Sequence, residues 1–168
     1  MLLLDLPKGK PMRMTYRVLA GAIALLVVIQ AAMIAYAIGG VFSWIDAGNT
    51  LDKSVVEGWE DNPPTFEGSI GSFFHFFIIG TILIPLLGLI LLIVSFFAKV
   101  PRGVMLAGVV FLAIVVQYLL GTFAASTSTP LLSLFHGLNA FIVFGAAVTA
   151  ATAAKNAGAA QPSPAPTV

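Results

Sequence analysis

Ser72-Phe73-Phe74-His75 and Ser133-Leu134-Phe135-His136 are two versions of one short phrase, a serine with a histidine three residues on, each a few residues inside a long apolar run. They contain the only two histidines of the chain. Outward from them, four uncharged apolar runs are found at about residues 18–39, 70–98, 104–124 and 130–154. At 1.5 Å per residue, about 20 residues of helix cross the ~30 Å hydrocarbon layer. Each run therefore suffices for one crossing, and the expected fold is all-α, a four-helix transmembrane bundle.

Composition agrees. Of 168 residues, 59% are hydrophobic and only 9% charged, where soluble domains carry roughly a quarter charged residues. A net charge of +1 with no basic stripe offers nothing to neutralise a phosphate backbone, so nucleic acid is not an expected partner. The absence of cysteine excludes disulfides, thiolate metal sites and iron–sulfur clusters.

Residues 1–15 read as a cytoplasmic N-terminal arm, 16–155 as the membrane domain and 156–168 as a disordered tail rich in proline. Ala35-Tyr36-Ala37 imitates a signal cleavage site, but the apolar run before it exceeds the roughly 7–15 residues of a signal peptide. The loop 40–69 is polar and carries six of the seven acidic residues together with Trp44 and Trp59. Part of 41–58 suits a short interfacial helix. Pro85 interrupts the second run, where a kink is expected, and Pro130 suits the first turn of the fourth helix. Lys8, Lys10, Arg13, Arg17, Lys99, Arg102 and Lys155 fall on one side of the bilayer and only Lys53 on the other. The positive-inside rule then puts both termini in the cytoplasm, and the expected location is the plasma membrane.

The runs repeat. Displaced by 87 positions, Leu19-Ala20-Gly21 and Gln30 fall on Leu106-Ala107-Gly108 and Gln117; displaced by 61, Ser72, Phe74 and His75 fall on Ser133, Phe135 and His136. Matches among apolar residues arise by chance, but polar residues inside a membrane are rare and costly. The expected plan is two repeated helical hairpins, each with glutamine on its first helix and histidine on its second. Counted from the outer ends of the runs, the four polar side chains fall within about 5 Å of one level.

Two readings of that level stand side by side. In the first, His75 and His136 are the axial ligands of haem b, each imidazole oriented through its second nitrogen. Ser72, Ser133, Asn139, Gln30 and Gln117 are then candidate groups around it. Phe73, Phe74, Phe76, Phe77, Phe135 and Phe141 could wall a porphyrin, and Gly137 could admit a flat ring. In the second, the same residues are polar glue between helices, worth about 0.6–2 kcal/mol per contact.

Residues 16–155 resemble a family of small actinobacterial four-span membrane proteins of unknown function. The resemblance rests on the first run ending in Gln30, on Asp46 and Leu51-Asp52-Lys53, on Val94-Ser95-Phe96-Phe97-Ala98-Lys99-Val100-Pro101, and on Phe135-His136-Gly137-Leu138-Asn139-Ala140. More distantly, the plan is similar to one four-helix half of haem A synthase, whose halves carry haem-ligating histidines on their second and fourth helices. That resemblance implies ligation by His75 and His136 alone. Ser72 stands where the family's catalytic half has an acidic residue near its first histidine, so hydroxylation of haem is not implied.

The expected function is that of an integral membrane protein holding haem b for electron transfer or haem handling. The alternative is a haem-free accessory subunit packed against a larger membrane or respiratory complex. The spans contain no Asp, Glu, Lys or Arg for an ion or proton relay. They hold no nucleophile–base pair or carboxylate dyad either, so the sequence leans away from an enzyme.

Overall fold

The computed structural model describes residues 10–59, 61–124 and 129–159. Residues 125–128 between the third and fourth runs, residues 1–9 of the arm and the proline-rich tail lie outside the described residues. Among the described residues the chain is all-helical. Helix α1 spans Lys10–Asp46, α2 Lys53–Glu57 and α3 Ser69–Phe73; a π-helical segment, Phe74–Leu83, leads into α4, Ile84–Ser95, followed by α5, Gly103–Ala124, and α6, Pro130–Ala159. Four stretches, Pro11–Asp46, Ser69–Ser95, Gly103–Ala124 and Pro130–Ala159, are long and apolar enough to cross a membrane. The protein is an integral membrane protein with four such helices among the described residues.

Helix boundaries differ from expectation. Helix α1 begins at Lys10 and continues to Asp46, so residues 10–15 of the arm are helical. Pro11 is at home in a first turn, where its missing N–H costs nothing. Two tertiary bonds hold the early turns: Arg13 Nη1 donates to the Ala157 carbonyl at 2.7 Å, and the Tyr16 hydroxyl donates to the Gly103 carbonyl at 2.9 Å. At the far end, Gly48 adopts φ +94° and its N–H bonds to the Ile45 carbonyl, a left-handed stop that glycine makes without strain. Helix α6 passes Lys155 and runs to Ala159.

The described chain forms two compact units, residues 1–27 with 84–168, and residues 28–83. In the first, α5 packs against α4 and α6. Its buried side chains are mostly small: Ala20, Ala107, Ala113, Ala147, Ala150 and Ala154, with Leu91, Val110 and Val143 among them. Small residues let helix backbones approach closely where lipid removes the hydrophobic drive between helices. Gly88 sits where a Cβ would lie 2.6 Å from the Ile114 side chain. The α4–α5 turn holds Lys99 and Arg102 at φ +51° and +57°, a region costly for residues with a Cβ.

In the second unit, Gly40, Gly68 and Gly71 each lie against backbone: Gly40 on Glu67, Gly68 on Tyr36 and Gly71 on Met33. These contacts press the later half of α1 against the chain entering α3. Asp52 caps α2, its carboxylate accepting from the Val55 N–H at 3.1 Å. Trp59 packs edge-on against the buried Phe66, ring centroids 5.9 Å apart. Elsewhere large apolar side chains face outward, Phe141 at 75% exposure and Phe77 at 61%. Water would not tolerate so much apolar surface, but lipid does.

Candidate functional site: two glutamine–histidine pairs

Gln30 meets His75, and Gln117 meets His136. In the second unit, the His75 ring is buried and its Nδ1 lies 2.9 Å from the backbone carbonyl of Gln30. A carbonyl only accepts, so this nitrogen carries the proton. Gln30 answers with its side chain, Nε2 donating to the His75 backbone carbonyl at 3.1 Å. The bonds are reciprocal, each residue giving a side chain and receiving on its backbone.

The π winding makes room for this. In an α-helix the His75 carbonyl would take the N–H of Ile79; in a π-helix the partner is one residue further on, at Gly80. Gly80 is required there, because a Cβ would lie 2.6 Å from the His75 oxygen and 2.7 Å from Gln30 Nε2. The next carbonyl, of Phe76, also gains a side-chain donor, Thr81 Oγ1 at 2.7 Å. Pro85 follows two residues beyond the segment. In a regular turn its ring would crowd the Thr81 carbonyl, so the wide winding stands where the expected kink would be.

In the first unit, His136 Nδ1 lies 3.2 Å from the Gln117 backbone carbonyl, the same contact that His75 makes with Gln30. The side chain behaves differently. Gln117 Nε2 is 3.1 Å from His136 Nε2 and 3.2 Å from Nδ1. With the proton on Nδ1 for the carbonyl, Nε2 accepts from the amide. Asn139, buried, sets the amide: its Nδ2 donates to Gln117 Oε1 at 2.7 Å and to the Ala113 carbonyl at 2.9 Å. Gln117 Nε2 is thereby turned to the imidazole. Gly121, one turn after Gln117, admits the ring, since a Cβ there would lie 2.9 Å from His136 Cε1. Gly80 and Gly121 were not singled out in the sequence. Their offsets from His75 and Gln117 were the available signal.

Other sequence candidates are placed elsewhere. Ser72 is half-buried and Ser133 exposed, and among the described residues neither hydrogen-bonds to the pairs. Phe73, Phe74, Phe76, Phe77, Phe135 and Phe141 are all exposed. Gly137 faces open space.

The pairs can be tested for fit to haem iron. An axial imidazole gives iron one nitrogen lone pair and donates from the other. The His75 Nδ1 bond to a carbonyl is that second interaction. At His136 both ring nitrogens face Gln117, with the amide nitrogen within 3.2 Å of each and the backbone carbonyl 3.2 Å from Nδ1. The described residues contain no group of three or more His, Cys, Asp or Glu side chains suited to a metal. Comparison of the chain with protein-family models, curated proteins and solved structures gives no match.

Proposed function

We propose that the chain is a haem-free integral membrane subunit in which two glutamine–histidine clamps lock helix pairs, and that it works by packing against a larger membrane complex. The observation that supports this most directly is the Asn139–Gln117–His136 network, in which every nitrogen of the imidazole is spent on protein. Each such contact stabilises membrane helices by about 0.6–2 kcal/mol. The charge asymmetry supports a plasma-membrane topology with both termini cytoplasmic.

A second reading, haem b with His75 and His136 as ligands, draws on the oriented His75 ring. One absorption spectrum separates the two. The detergent-purified protein, expressed with added haem precursor, is expected to show no Soret band, while His136→Ala lowers its unfolding midpoint. A sharp Soret band lost in both His75→Ala and His136→Ala would overturn the clamp reading and establish the haem one.

A further inference from the structure

We propose that a groove between α1 and α6 in the first unit is a binding site for an anionic phospholipid, its phosphate held at Arg17 and Lys155 and one acyl chain laid along the small residues below. The groove has a volume of about 190 Å³ and is lined by Arg17, Gly21, Ala24, Ala151, Thr152 and Lys155 among others. Arg17, Thr152 and Lys155 are exposed at its mouth and supply two cations and a hydroxyl, the donors a phosphate needs.

Three observations favour an anion that comes with a chain. No Asp or Glu occurs anywhere after Glu67, and among the described residues the one ion pair is Lys53–Glu57. Among the described residues no carboxylate therefore pairs with Arg17 or Lys155. From Arg17 to Ala24 the floor descends seven residues, about 10 Å of helix, into the apolar span, a depth that a phosphate alone does not use. Arg13, one turn before Arg17, fixes the two walls. It is 8% exposed and bonds to Ala157 near the end of α6, a cation placed at the negative end of the helix dipole. Its Nε has no partner among the described residues.

The test is native mass spectrometry of the whole protein in detergent, offered equal amounts of phosphatidylglycerol and phosphatidylcholine. The wild type is expected to retain phosphatidylglycerol preferentially. Arg17→Gln and Lys155→Gln should each reduce retention about fivefold, the equivalent of about 1 kcal/mol per cation at the membrane surface. Arg17→Lys should keep it. Ala151→Leu, which leaves both cations and fills the floor, should also reduce it, and millimolar inorganic phosphate should not compete. Equal retention of the two lipids, or no loss when Arg17→Gln and Lys155→Gln are combined, would overturn the site. So would full competition by inorganic phosphate, or unchanged retention in Ala151→Leu; either would leave a mere surface anion site.

Discussion

The pairs Gln30–His75 and Gln117–His136 share one bond and differ in the other. In both, the imidazole Nδ1 faces the glutamine's own backbone carbonyl. In the first, the glutamine amide goes to a carbonyl exposed by π winding; in the second, it goes to the ring, held there by Asn139. The residue 61 positions before Asn139 is Ile78. Without an amide at that place, Gln30 has no side chain to orient it and takes the backbone acceptor that Gly80 and the π segment leave within reach. One polar residue thus decides whether a repeated contact becomes a side-chain network or a backbone clasp.

The largest expected effect comes from removing the hub. Gln117→Leu deletes the bonds to His136 and from Asn139 and leaves both groups short of a partner, at a cost of about 2–3 kcal/mol. Gln30→Leu deletes one bond and leaves the His75 Nδ1 contact, which uses backbone, at a cost of about 1 kcal/mol. Unfolding midpoints in mixed detergent should rank them so. Equal losses would mean that the two pairs are energetically alike and that Asn139 contributes nothing.

Next come the glycines. Gly80→Ala drives a methyl against backbone and is expected to cost about 2 kcal/mol; Gly121→Ala drives it against a ring that can tilt, and should cost about 1 kcal/mol. Gly137→Ala, in open space, should be neutral or slightly stabilising, because alanine is the better helix former. Imidazole nitrogen chemical shifts should move at His136 for Gly121→Ala and at His75 for Gly80→Ala. A shift at neither would show that the rings do not depend on the close approach.

The smallest effect lies outside the pairs, in the loop. Hydrogen bonds from the Ser54 hydroxyl, at 2.6 Å, and from the Val55 N–H hold the Asp52 carboxyl below its ordinary value of 3.8. A depressed carboxyl stabilises the fold above its unfolded pKa and loses that contribution as pH falls through the folded one. Helix α2 should therefore stay capped at neutral pH and fray only in acid below 3.8. A carboxyl-carbon titration of Asp52 with its midpoint at or above 3.8 would remove the cap from the account.

Much of this was readable in advance. Run length alone announces four helices, because apolar runs of about 20 residues match a helical crossing and exceed the roughly 10 residues of a barrel strand. Gln30, Gln117, His75, His136 and Asn139 were readable as a set because polar residues stand out in apolar runs. What they bond to was not readable. A bond from Nδ1 to a carbonyl, and a choice between ring and backbone for an amide, turn on ångström-scale distances that spacing does not carry. The π segment escaped notice for the same reason: Pro85 announces a disturbance, and only the packing of Gln30 against Gly80 decides its form.

The sequence by itself determined the number of crossings, their approximate limits and the rarity of polar groups within them, since these depend on transfer energies summed over about 20 residues at a time. The tertiary structure alone decided that α1 begins at Lys10, through the bonds of Arg13 and Tyr16 to distant carbonyls. It also decided that His136 spends both ring nitrogens on one glutamine, and that Arg17 and Lys155, 138 positions apart, face one groove. Bonds between residues so far apart in the chain depend on which helix faces meet, and no local pattern of residues encodes that.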